Sequence, residues 1–166
     1  MYSSDIVPGL LQTEGYATAV LESVAWLRDL PDDIPEAVAA RLARARVLRE
    51  GDHRFVMLLE EDVLRHQMGN AETMAGQLGH LLSVMSLPSV SLGVIPSKGQ
   101  RSIWTLETFN VYDDEQVNVE LLTASVTVTA PGEVRDYLKL FAELQKRAVY
   151  GAQARSLIAA AIEALG

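Results

Sequence analysis

Apolar residues recur along this chain in two rhythms. The first is helical. Thr13 suits a helix N-cap, and after it Tyr16, Ala17, Val20, Leu21, Val24 and Leu27 share one face at the 3.6-residue period. The pattern stops before Pro31. Asp32-Asp33-Ile34-Pro35 predicts a second helix, with proline near its first position and acids at its positive end. Val38, Leu42, Ala45 and Leu48 form its apolar face, and Gly51 ends it. Residues 60–68 predict a short helix closed by Gly69. Residues 71–85 predict a longer one with Met74, Leu78, Leu81, Leu82 and Met85 inward. Pro131-Gly132 opens a helix carrying Val134, Tyr137, Leu138, Phe141, Leu144 and Ala148. Gly151 breaks it, and a last helix carries Leu157, Ile158, Ala161, Ile162 and Leu165.

The second rhythm has a period of two. Residues 55–59 predict a short buried strand, and residues 89–95 alternate through Val90, Leu92 and Val94. Residues 103–111 and 117–121 flank an Asp113-Asp114 turn and predict a hairpin, with a bulge or bend between Leu106 and Phe109. Residues 125–129 predict one more strand. Strands cluster in the middle with helices on either side. The fold class expected is α+β: a mainly antiparallel sheet of four to five strands flanked by N-terminal and C-terminal helices. Residues 1–166 are expected to form a single domain.

Charge narrows the partners. The net charge is −8, with acids in excess along the whole length, so this segment should repel phosphate backbones. Its one cationic cluster is Arg41, Arg44, Arg46 and Arg49 on the second helix, read as a solvated face in preference to a site for an acidic partner. There is no cysteine, which excludes disulfides and thiolate chemistry and suits the cytoplasm. No apolar run is long enough to span a bilayer, and no secretory signal opens the chain. Met1-Tyr2-Ser3-Ser4-Asp5 reads as a native start or an introduced one.

Catalytic signatures are missing. The chain has no phosphate-binding glycine loop, no nucleophile elbow and no zincin helix. His53, His66 and His80 lack the spacing of metal ligands, so neither metal nor cofactor is expected. Glu60-Glu61-Asp62 is the densest acidic run. Its simplest reading is a helix start, with one glutamate pairing with Arg41 or Arg44. The alanine-rich last helix is expected to pack on the helix before it, or else to form a homodimer seam.

Several short motifs, taken in order, carry a family resemblance. Val7-Pro8-Gly9-Leu10-Leu11-Gln12-Thr13, followed by Tyr16-Ala17, resembles the opening of a C-terminal domain of uncharacterised function. That domain occurs in actinobacterial helix-turn-helix regulators of the XRE class, WhiJ-like regulators among them. Arg41-Leu42-Ala43-Arg44 is similar to the family's basic helix, with Ala45 where a glutamine is common. Leu59-Glu60-Glu61-Asp62-Val63-Leu64-Arg65, Gln77-Leu78, Leu87-Pro88, Val94-Ile95-Pro96, Trp104-Thr105-Leu106 and Val119-Glu120 continue the likeness. The resemblance implies a regulatory, antitoxin-like domain whose DNA-binding domain would precede Val7 and is absent from this chain. It also implies a small protein partner encoded nearby, with DNA bound only through the absent domain.

Three functions follow as expectations. The first is a non-enzymatic regulatory domain that binds a small protein. The second is an effector sensor with Gln12, Tyr16, Gln77 and Glu120 converging on an apolar pocket. The third is an enzyme using Glu60, Glu61 or Glu120. The candidate binding residues are Gln12, Tyr16, Arg41, Arg44, Glu60, Glu61, Gln77 and Glu120. Pro8-Gly9 reads as a structural turn that seats Leu10 and Leu11.

Overall fold

A computed structural model of the chain describes residues 1–29, 33–101 and 103–166. Strand β2 (Phe55–Glu60) runs parallel to β3 (Val90–Ile95), in register from Phe55 opposite Val90 to Glu60 opposite Ile95. On the other side of β2 lies β1, only Tyr2–Ser3, also parallel, with Tyr2 opposite Leu58. β1 in turn pairs antiparallel with β4 (Phe109–Tyr112) through Tyr2 and Phe109. β5 (Gln116–Glu120) and β6 (Ser125–Val128) complete an antiparallel meander. The strand order is β3-β2-β1-β4-β5-β6.

This corrects the expected fold. The sheet is mixed and six-stranded, not mainly antiparallel with four to five strands. Two parallel crossovers build its first half. One runs from β1 to β2 through α1 (Glu14–Arg28) and α2 (Ile34–Arg44), the other from β2 to β3 through α3 (Ala71–Val84). Such crossovers need a helix to return the chain to the same end of the sheet.

Helix chemistry follows the sequence closely at the caps. Thr13 Oγ1 accepts the Tyr16 N–H at 3.4 Å to open α1, and Asn70 Oδ1 accepts the Thr73 N–H at 2.8 Å to open α3. α1 buries Tyr16, Ala17 and Val20, but Val24 and Leu27 of the same stripe are exposed. α2 tightens into a 3-10 turn at Ala45–Leu48. The expected stop at Pro31 and the Asp32 helix start lie outside the described residues. The helix expected over 60–68 is a single 3-10 turn, Glu61–Leu64. The strand arm expected over 103–111 begins only at Phe109.

The sheet separates two cores. One face carries Met57, Leu59, Leu92 and Val94 against α1, α3 and α5 (Gly151–Glu163). The opposite face carries Tyr2, Leu58, Ile95, Phe109, Val117 and Val119 against α4 (Pro131–Arg147). α5 packs on α3 and β3, with Ala154, Ile158 and Ala161 buried, and not on the preceding helix, because α4 covers the other face. Between the two helices the chain passes over the edge of β3, where Val149 and Val94 exchange backbone hydrogen bonds of 3.0 and 2.8 Å. Gly151 does not break a helix there; it starts α5 in the left-handed region, at φ +54°.

Candidate functional site

The three parallel strands finish on one side of the sheet, at Ser3, Glu60 and Ile95. Carboxyl ends of parallel strands are where open α/β sheets bind ligands, because the connections leave a crevice there. Here the crevice is an open polar cleft of about 380 Å³, lined by residues that include Tyr2, Ser4, Glu60, Asp62, His66, Ser97, Arg101, Trp104 and Thr105.

Glu60 forms its floor. It is the last residue of β2 and is only 6% exposed. Its carboxylate accepts two hydrogen bonds from the Arg101 guanidinium, at 2.9 Å on Oε1 and 2.5 Å on Oε2. The Tyr2 hydroxyl donates to the same Oε1 at 3.0 Å and lies 2.5 Å from Thr105 Oγ1. A two-pronged guanidinium–carboxylate contact is among the stronger polar interactions, and burial makes Glu60 depend on Arg101, which is itself exposed. The hydrogen bond to Glu60 raises the Arg101 pKa further. Burial pushes the Tyr2 phenol up to about 12, so it stays a donor at any ordinary pH.

Glu61 turns away from Glu60. Its Oε2 accepts the Ser97 N–H at 3.0 Å and the Ser97 hydroxyl at 3.2 Å, and its Oε1 accepts from Arg65 at 3.2 Å. The Ser97 N–H holds its carboxyl below the usual carboxylate range, with help from Arg65 and against burial. Adjacent glutamates thus anchor two ends of one segment: Glu61 fixes its start at Ser97, and Glu60 fixes its middle at Arg101.

The described residues of that segment, 97–101 and 103–108, form a strap across the cleft. Among the described residues, no backbone–backbone hydrogen bond ties it to the rest of the fold. Side chains hold it instead. Arg147 donates to the Gln100 carbonyl at 2.5 Å, Tyr137 donates to Glu107 at 2.6 Å, and Thr108 donates to Asp5 at 3.1 Å. The bond to Glu107 pushes the Tyr137 phenol up to about 12. Trp104 and Leu106 of the strap are 75% and 81% exposed.

The other expected site residues divide. Gln12, Tyr16 and Gln77 are buried, but their polar atoms are spent on the segment before α1. Gln77 donates to the Leu11 carbonyl at 2.7 Å and accepts the Thr13 N–H at 2.8 Å. Gln12 donates to the Val7 carbonyl at 2.7 Å, and the Tyr16 hydroxyl accepts the Val7 N–H at 3.2 Å. Arg41, half-buried, donates to Gln12 Oε1 at 2.8 Å; burial lowers its pKa, and Arg44 beside it adds to that. Arg41 therefore joins this lock and not the glutamates, whose arginine partners are Arg65 and Arg101. Arg44 is exposed, and Glu120 is exposed at the end of β5. Of the eight, Glu60 lines the cleft and Glu61 holds the strap beside it through Ser97. Sequence reading missed Tyr2, Ser97, Arg101 and Thr105. The one available signal was an arginine, Arg101, standing outside any helix in an otherwise acid-rich chain.

A second hollow of about 380 Å³ lies between α1 and α2, lined by Glu14, Thr18, Glu22, Ile34, Pro35, Val38, Ala39 and Leu42. It is a mostly apolar groove with acids on its rim. The polar cleft is the better of the two candidate sites, because it combines an ion pair on a buried carboxylate with strand ends and a strap. Among the described residues no group of three or more His, Asp or Glu side chains is placed to hold a metal. No helix among them is long and apolar enough to cross a membrane.

Comparison with curated proteins and with solved structures returns no match. The family described as Domain of unknown function (DUF5753) matches residues 1–160. That match takes in both crossovers, the strap and nearly all of α5, and the chain belongs to the DUF5753 family.

Proposed function

We propose that this chain is the regulatory half of a cytoplasmic XRE-class helix-turn-helix regulator of the WhiJ-like, actinobacterial kind. It acts without catalysis. A small effector in the Glu60 cleft changes the DNA affinity of a DNA-binding domain upstream. The observation that carries this reading is the double position of Tyr2. Its backbone forms half of the central strand, and its hydroxyl touches the cleft carboxylate. An upstream domain would connect through residue 1, whose nitrogen already donates to the Val56 carbonyl at 2.9 Å, a bond that an amide N–H makes equally well. Cleft and connection thus share one two-residue strand. Coupling between sites needs two states that the effector binds unequally, and typical coupling is worth about fivefold to 150-fold in affinity.

The test joins this chain to its DNA-binding domain and measures operator affinity by fluorescence anisotropy. Arg101→Ala, which disturbs the cleft and touches no DNA-binding surface, is expected to change that affinity by about fivefold or more. Equal affinities for the variant and the unaltered protein would refute the reading.

A second reading rests on its own observation. Trp26 is 82% exposed on α1, the helix that forms one wall of the apolar groove. Exposed aromatic side chains beside a groove suit protein contacts. Under this reading a small protein encoded nearby docks on α1 and α2. A pull-down with that neighbour, lost on Trp26→Ser, supports it; capture undiminished by the substitution removes it.

A further inference from the structure

The cleft holds a cation already, and that cation belongs to the protein. Glu60 is buried deeply enough that a lone carboxylate there would be costly, so it needs a positive partner at all times. Arg101 fills that role from the strap, whose described residues are secured by side-chain contacts without a backbone ladder. Such a segment is easier to lift than a strand, because each clasp can exchange with water separately.

The surroundings select the charge of whatever replaces Arg101. Glu60, Asp62 and His66 line the cleft, and among the described residues Arg101 is the only guanidinium that does. With Arg101 lifted away, the lining is acidic and repels carboxylates and phosphates. The Tyr2 hydroxyl is already fixed as a donor to the carboxylate that would receive it.

We infer that the effector is a compact organic cation, a guanidinium or amidine, that takes the place of Arg101 on Glu60 and frees the strap. Arg101 is then an internal competitor that keeps the empty cleft closed. This rests on the effector reading above and names the chemistry of its ligand.

The test uses this chain alone, without DNA, so it is separate from the test of coupling. Benzamidine and agmatine serve as cationic probes; phosphate and acetate serve as anionic ones. Binding is followed by calorimetry, by melting temperature and by Trp104 fluorescence, with Trp26→Phe removing the other tryptophan. Arg101→Ala removes the competitor, so benzamidine is expected to bind it about tenfold or more tighter than the unaltered chain. Millimolar benzamidine should also restore the melting temperature that Arg101→Ala lowers, whereas sodium chloride of equal ionic strength should not. Glu60→Gln should abolish binding. If that variant does not fold, the direction of the Arg101→Ala effect decides by itself, since an arginine with a merely structural role gives no gain in affinity. Equal or weaker benzamidine binding by Arg101→Ala overturns the inference. Stabilisation by phosphate or acetate that disappears with Arg101→Ala also overturns it, leaving the cleft as an anion site and the effector reading intact. No shift with any probe overturns both.

Discussion

β2 and β5 belong to one sheet and obey different rules. β2 reads Phe-Val-Met-Leu-Leu-Glu, apolar almost without interruption, because helices cover both of its faces. β5 reads Gln-Val-Asn-Val-Glu, strictly alternating, with Val117 and Val119 under α4 while the other side faces water. Parallel strands buried on two faces lose the alternation that half-exposed antiparallel strands keep. The parallel half is therefore the rigid scaffold and the antiparallel half a one-sided extension. The cleft opens where they meet, at the pairing of β1 with β4. Under the proposed function, a ligand at this boundary alters how two unequal halves are joined without unfolding either.

The strongest way to break this comparison is at the join. Tyr2→Ala removes a buried aromatic from the central strand and should cost about 4 kcal/mol in chemical denaturation. Amides of β4–β6 should then lose exchange protection well before those of β2 and β3. Simultaneous loss across the sheet would mean that the halves are one cooperative unit.

A pH titration tests the same join from the chain start. Burial in the sheet pushes the Met1 amine down from 8.0 to about 5. Between those values the unfolded chain binds a proton that the folded chain refuses, so acid favours unfolding. For a chain with a free amine at Met1, stability is full above pH 8 and falls by about 4 kcal/mol on going to pH 5. Acetylation of the amine should flatten that slope.

Gly93→Ala probes the outer edge of the scaffold. An added Cβ would lie 2.7 Å from the Tyr150 ring and 3.0 Å from Ala148 Cβ. The expected cost is about 2 kcal/mol, and Tyr150→Ala should recover only part of it, because Ala148 stays in the way. At the opposite edge Val126, 42% exposed, should tolerate alanine at about 0.5 kcal/mol. A larger cost there would show that the extension is packed more tightly than its exposure indicates.

Much of this architecture is written locally. Thr13, Pro131 and the Asp113-Asp114 turn act through their own neighbours, so α1, α4 and the β4–β5 hairpin are readable in the sequence. β1 is not readable, since two residues carry no period; its place comes from partners more than fifty residues away. Missing β1 conceals the parallel half, because strand direction depends on connection and not on side-chain pattern. The uninterrupted apolar run of β2 was the one local sign of two-sided burial. Trp104-Thr105-Leu106 has strand-like composition, but its Thr105 is drawn to Tyr2 and its large apolar side chains stay outside. In the cleft, Glu60 and Glu61 stand out as an acidic run, but their separate duties depend on Arg101 and Ser97, both more than thirty residues distant. A helix-start reading of that run uses only neighbouring residues and therefore finds neither partner.

The crossing at Val149 also limits assembly. An open sheet has two ends on which another strand can be laid, and β6, uncharged from Ser125 to Val128, is one of them. The other end is obstructed near Val94, where the chain itself bridges β3 and Tyr150 crowds Gly93. Edge-to-edge addition of a further strand is therefore easier at β6 than at β3, so the two ends of this sheet are unequal.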